Sequence, residues 1–196
     1  MKIVILNTGC ANLLSVKLAI DRLGYDSKIS CDILQIYNSD KIIIPGVGSM
    51  ASVMNQLYQL NLIEIIKNIT QPVLGICLGM QVLSMFSEES GGIKGLDIIP
   101  VNVSLLNTNG LSLPHTGWNK INFNIDHLLF KNINIKDRFY FVHSYAIPIN
   151  KFTIASTFYG MEFTSVIQKN NFFGVQFHPE KSGLLGNRLL KNFLEI

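Results

Sequence analysis

Apolar positions in this 196-residue chain follow two alternating patterns. Short, nearly unbroken β-branched runs at 2–6, 41–44 and 72–76 read as strands buried on both faces. Between them the spacing lengthens to a helical period. Leu13, Val16, Ala19, Ile20 and Leu23 share one face ahead of Gly24, and Val53, Leu57 and Leu60 follow Ser49, a good N-cap. A further helix is predicted from Leu78 to about Phe86. Buried strands separated by helices imply a parallel sheet with right-handed crossovers. The second half changes character: 101–105, 118–123, 139–142, 152–156, 163–168 and 172–177 are strand-like with little helix between, so antiparallel hairpins are expected. Lys169-Asn170-Asn171 reads as a tight turn joining two of these strands. Gly183 to Leu194 closes the chain as an amphipathic helix. No repeat, low-complexity tract or linker separates the halves. The expectation is therefore a single α/β domain over 1–196: an open, mostly parallel central sheet flanked by helices, with antiparallel strands added in the C-terminal half.

Composition narrows the class. With 48% hydrophobic and 15% charged residues, the chain is too apolar to be disordered. Its mean hydropathy of +0.31 raises the question of a membrane span, but polar residues interrupt every apolar run before about eighteen residues. The 16 basic and 13 acidic side chains are scattered, so the net charge of +3 does not form the stripe a nucleic acid would need. The apolar start ends at Asn7, short of a signal peptide. Cys10, Cys31 and Cys77 are an odd set without Cys-x-x-Cys spacing, which suggests neither a disulfide framework nor a zinc site and favours a reducing, cytoplasmic setting. Neither a metal nor another cofactor is called for.

Two segments carry chemistry. Gly75-Ile76-Cys77-Leu78-Gly79 places a cysteine between glycines where a buried strand turns into a helix, parallel to the Gly-x-Ser-x-Gly nucleophile elbow. At a helix N-terminus Cys77 would find backbone N–H groups and a dipole that favour a thiolate, and the Leu78 N–H could stabilise an oxyanion. The plain alternative is a core cysteine. In Gln176-Phe177-His178-Pro179-Glu180, an extended chain puts His178 and Glu180 on one side, so the carboxylate can orient the imidazole as a base for a cysteine. The plain alternative is a surface pair at a strand end. Both segments would reach the carboxyl edge of the sheet, where open α/β folds place their sites.

On Pro45-Gly46-Val47-Gly48-Ser49, Gly75–Gln81 and Gln176–Glu180, standing in the family's order, the sequence resembles the class I (triad) glutamine amidotransferases along its whole length. Within the family, Leu113-Pro114-His115-Thr116-Gly117-Trp118-Asn119, Tyr140-Phe141-Val142-His143-Ser144-Tyr145 and His178-Pro179-Glu180-Lys181-Ser182 look like the branch serving imidazole glycerol phosphate synthase in histidine biosynthesis. The opening Asn7–Leu13 fits its bacterial stand-alone form, with Ala11 where many members have Gly. The resemblance implies Cys77 as nucleophile, His178 as general base and Glu180 as its orienting acid. It implies an oxyanion strand at Gly46, Val47 and Gly48 acting with Leu78, and glutamine contacts from Gln81, Glu89, His143, Ser144 and Tyr145. For Glu89 a solvated helix end is the alternative. Gln81, four residues after Cys77, also faces the same pocket by helical spacing. The implied partner is a (β/α)₈ cyclase subunit in a heterodimer, with Asn12, His115, Trp118, Tyr140 and Lys181 as docking candidates; Trp118 could equally belong to the core. Competing readings are the amidotransferase subunit of an anthranilate or aminodeoxychorismate synthase, a silent regulatory partner of the same fold, and a cysteine hydrolase acting on other amides.

Overall fold

The computed structural model describes residues 1–9 and 13–196. Cys10, Ala11 and the docking candidate Asn12 lie outside the described residues. The first half runs β1 (Ile3–Leu6), α1 (Leu13–Arg22), β2 (Ser27–Ser30), α2 (Ile33–Tyr37), β3 (Lys41–Gly46), α3 (Met50–Gln59), α4 (Ile63–Asn68), β4 (Val73–Cys77) and α5 (Leu78–Gln81). The second half runs β5 (Ser84–Ser87), β6 (Ile93–Lys94), β7 (Ile99–Leu105), β8 (His115–Lys120), β9 (Asn122–Phe123), β10 (Arg138–His143), β11 (Tyr145–Ala146), β12 (Thr153–Tyr159), β13 (Met161–Lys169), β14 (Phe172–Val175) and α6 (Gly183–Leu194). Local chemistry sets several boundaries. The Asp32 side chain accepts from Gln35 N–H to start α2, and the Ser49 hydroxyl accepts from Ser52 N–H at 3.3 Å to start α3.

The main sheet has the order β2-β1-β3-β4-β14-β13-β12-β9. Its first five strands are parallel and the rest antiparallel. Burial on both faces explains why β1 and the Ile42–Ile44 run of β3 are apolar. Ile3, Ile5 and Ile43 pack with Val16 and Ile20 of α1 and Leu189, Leu190 and Phe193 of α6 on one face. Val4, Leu6, Ile42 and Ile44 pack with Val53 and Leu57 of α3 and Ile66 of α4 on the other. The late strand β14 lies directly beside β4, pairing Phe172 with Val73 and Val175 with Ile76. The carboxyl ends of β3, β4 and β14 therefore meet, bringing Gly46, Cys77 and the segment after Val175 together. The Asn170-Asn171 turn has the predicted tight form, with Asn170 at φ 53° and Lys169 facing Phe172.

Two expectations need correction. The helix predicted from Leu78 to Phe86 is a single turn, Leu78–Gln81. Ser84–Ser87 instead pairs with β7 and β6, so a cross-chain ladder outcompetes continued helix. The run predicted over 118–123 divides between two sheets: β8 pairs antiparallel with β10 as a ribbon, while β9 adds to the edge at β12.

Candidate active site

Strand β4 ends at Cys77, which adopts φ 53° and ψ −108°. A non-glycine residue there carries strain of about 1–3 kcal/mol, held in place by its surroundings. The glycines on either side make that turn possible. A Cβ on Gly79 would meet the Ile44 carbonyl, and one on Gly75 would meet the Gly79 carbonyl, so β3, β4 and α5 pack main chain against main chain. Cys77 is left lining a cleft of about 390 Å³.

One turn of helix contributes little of a macrodipole, so α5 gives a Cys77 thiolate less support than the longer helix expected there would. The sulfur instead has specific neighbours. Gln176 Nε2 donates to Sγ at 3.7 Å, and Sγ lies 3.8 Å from the Val142 carbonyl oxygen. Gln176 is fully buried and was not among the expected site residues. A signal for it existed, since it stands two and four residues before His178 and Glu180 on the same parity.

His178 Nδ1 lies 2.8 Å from Glu180 Oε1, with both side chains buried. The pair forms because the extended backbone of His178 runs into a tight turn at Pro179–Lys181, a correction to the fully extended geometry expected. Ser182 Oγ donates to the His178 carbonyl at 2.7 Å and accepts from Tyr140 N–H at 3.0 Å, fastening the turn to β10. Burial alone would disfavour the imidazolium. A hydrogen bond to Cys77 and one to Glu180, with the negative charge of both groups, overcome it and raise the His178 pKa to about 10. Among the described residues Nε2 has no close hydrogen-bond partner, so the interaction with Cys77 is a looser one. The ring thus carries a proton towards the cleft.

Val47, Gly48, Leu78, Gln81, Glu89, His143, Ser144 and Tyr145 line the same cleft. Gly46 pairs with Cys77 across β3 and β4. Gly48 adopts φ 99°, outside the range of ordinary side-chain-bearing residues. Glu89 is not on a solvated helix end: its carboxylate accepts from Met50 N–H at 2.6 Å, at the start of α3. Gln81 Nε2 donates to the Tyr145 carbonyl at 2.9 Å and to Gln176 Oε1 at 3.0 Å.

The docking candidates separate. Trp118 is 51% exposed, its ring 6.0 Å from that of Tyr140, and Lys181 Nζ sits 5.9 Å over the Tyr140 ring. His115 is 3% exposed, stacked between Phe141 and Tyr159, and does not reach the surface. Strand alternation places Trp118 and His115, three residues apart on β8, on opposite faces.

The family described as Glutamine amidotransferase class-I matches residues 7–196. Over 197 residues the chain is 59% identical to the imidazole glycerol phosphate synthase subunit HisH of Buchnera aphidicola subsp. Schizaphis graminum, covering 100% of both. It is 53% identical to the subunit of the same name from Escherichia coli strain K12, again over 100% of each chain. The structure of PurLQS from Thermotoga maritima superposes with a TM-score of 0.72 at 16% identity, covering 99% of this chain and 97% of the other, a likeness of fold. No helix among the described residues is long and apolar enough to cross a membrane.

Proposed function

The chain belongs to the class-I glutamine amidotransferase family, and from that premise we propose that it is the glutaminase subunit of an imidazole glycerol phosphate synthase, serving histidine biosynthesis. The observation that carries the reading is one cleft in which an elbow cysteine meets a buried His–Glu pair.

The Cys77 thiolate attacks the side-chain amide carbon of glutamine, forming a C–S bond and a tetrahedral oxyanion. Backbone N–H groups from Leu78 and from Val47 or Gly48 receive that charge, each worth about 3 to 4 kcal/mol in comparable sites. His178 passes its proton to the departing nitrogen, the C–N bond breaks, and ammonia leaves behind a glutamyl thioester. Water then attacks the thioester while His178 takes its proton, and the C–S bond breaks to release glutamate. Glu180 holds the ring in the required tautomer and balances the imidazolium. Glu89, Ser144 and Tyr145 flank the space left for the glutamine amino and carboxylate groups.

Ammonia is useful only if shielded on its way to an acceptor, so the enzyme works with a second subunit. That partner is a (β/α)₈ cyclase, which uses the ammonia to form imidazole glycerol phosphate and an aminoimidazole carboxamide ribonucleotide. Trp118, Tyr140 and Lys181 form the docking patch, an aromatic pair beside a cation. Hydrolysis depends on the partner because the glycine-bearing strand Gly46–Gly48 completes its oxyanion geometry when the cyclase ligand is bound. The test mixes the chain with cyclase subunit, nucleotide substrate and glutamine. Imidazole glycerol phosphate should form with the natural chain and not with Cys77→Ala, which should still bind the cyclase. Hydrolysis retained by Cys77→Ala, or a rate indifferent to liganded cyclase, defeats the mechanism.

A further inference from the structure

An unbroken line of hydrogen bonds crosses the interior from the β8–β10 ribbon to the nucleophile. Asn119 Nδ2 lies 3.3 Å from His115 Nε2, and His115 Nδ1 lies 3.0 Å from His143 Nε2. His143 Nδ1 lies 2.9 Å from the Tyr145 carbonyl oxygen, which also accepts from Gln81 Nε2. Gln81 in turn donates to Gln176 Oε1, and Gln176 Nε2 donates to Cys77 Sγ.

The ends of the histidine pair fix its polarity. A carbonyl oxygen only accepts, so His143 carries its hydrogen on Nδ1 and its Nε2 accepts; His115 then donates from Nδ1 and accepts the Asn119 amide at Nε2. Every junction is matched in this one arrangement. A proton added to either ring would set N–H against N–H at one of these junctions. Both rings accordingly stay neutral, burial holding His115 at a pKa of about 4 and His143 at about 3. Two neutral imidazoles with both nitrogens engaged have no proton to trade with substrate. Their geometry suits them to hold other groups still.

We propose that Asn119, His115, His143, Gln81 and Gln176 form a positioning relay that fixes the Cys77 sulfur and the Tyr145 carbonyl and ties both to the ribbon bearing Trp118 and Tyr140. The regulatory half of this inference rests on the docking role assigned above to Trp118 and Tyr140; the positioning half rests on the hydrogen bonds alone. Register makes the connection mechanical: His115 faces His143 and Trp118 faces Tyr140 on the same two strands, so a partner that shifts the outer end of the ribbon moves the inner end too.

His115→Phe tests the relay, because phenylalanine keeps the stack between Phe141 and Tyr159 and removes both nitrogens. In the liganded complex, kcat for glutamine should fall by about 3- to 30-fold with KM changed less than about twofold. In the chain alone, iodoacetamide labelling of Cys77 at fixed pH, quantified by peptide mapping so that other cysteines do not count, should slow by a similar factor. Gln176→Leu should slow labelling more, and the double variant should be no slower than Gln176→Leu. Labelling within twofold of the natural rate in folded His115→Phe overturns the proposal, as do single effects that multiply in the double variant. Should His115→Phe fail to fold, Asn119→Ala is judged by the same two criteria. Labelling needs neither glutamine nor partner, so the relay can fail while the glutaminase reading stands, and the reverse.

Discussion

The elbow around Cys77 and the β8–β10 ribbon face each other across one cleft, yet they are held by different forces. At the elbow, backbone packs on backbone, with Gly75 and Gly79 filling spaces too small for a methyl group. In the ribbon, side chains do the work: alternate residues turn inward to stack and hydrogen-bond or outward to present Trp118. The elbow is all-or-nothing, because steric exclusion rises steeply with displacement. The ribbon is graded, because each aromatic or polar contact adds a modest increment. The two regions also carry opposite proton linkage, with His178 held charged and His115 and His143 held neutral.

The contrast sharpens most at the His178–Glu180 pair beside the elbow. Glu180→Gln keeps the shape but removes the charge that orients the ring, so glutamine hydrolysis in the assembled enzyme should drop by about 10³- to 10⁴-fold with glutamine binding preserved. A loss under tenfold, read by glutamate release, would show that the pair is not what prepares the base. Next comes the elbow's steric rule. Gly79→Ala drives a methyl group into the Ile44 carbonyl and should cost about 3 kcal/mol or more, visible as a lowered urea midpoint or as insoluble protein.

In the ribbon the expected losses shrink. Trp118→Ala should weaken association with the cyclase by about 2 kcal/mol, near thirtyfold in Kd by titration calorimetry, while the chain alone keeps its thermal midpoint. An unchanged Kd would remove Trp118 from the docking patch. The proton linkage of the two regions is read from the pH profile of stability. The pKa values of His115 and His143 lie below their usual 6.5, so the unfolded chain takes up protons that the folded one refuses. Stability is therefore lost as pH falls from about 6.5 towards 4. His178, raised to about 10, works in the other direction: its contribution is full below about 6.5 and lost as pH climbs towards 10. Urea midpoints between pH 4 and 10 should show both limbs, His115→Phe flattening the acid one and His178→Phe the alkaline one.

Legibility in the sequence follows the same division. The elbow was readable because steric necessity writes itself as glycine at fixed spacing, and β1, β3 and β4 were readable because burial on both faces leaves only apolar residues. Helix α6 matched its predicted bounds because a long amphipathic period has few competing explanations. What the sequence did not reveal depends on pairings over long separations. The segment after Gln81 has helical spacing, yet Ser84–Ser87 becomes strand because β7 offers it a ladder. His115 looked like a docking residue from its motif, and only the register with His143 turns it inward. Gln176 lies 99 residues from Cys77 in the chain; its parity with His178 and Glu180 hints at the site, but only the pairing of β14 with β4 brings its amide to the sulfur.

The insertion of β14 beside β4 has a consequence for how the enzyme comes into being. While the chain is being synthesised, β4 is complete long before β14 exists, so the apolar run Val73–Cys77 is for a time an open edge, exposed to misassociation and to chaperones. The same delay is a safeguard. A fragment that ends before Phe172 holds Cys77 but neither Gln176 nor His178, so it lacks the base that the proposed hydrolysis needs.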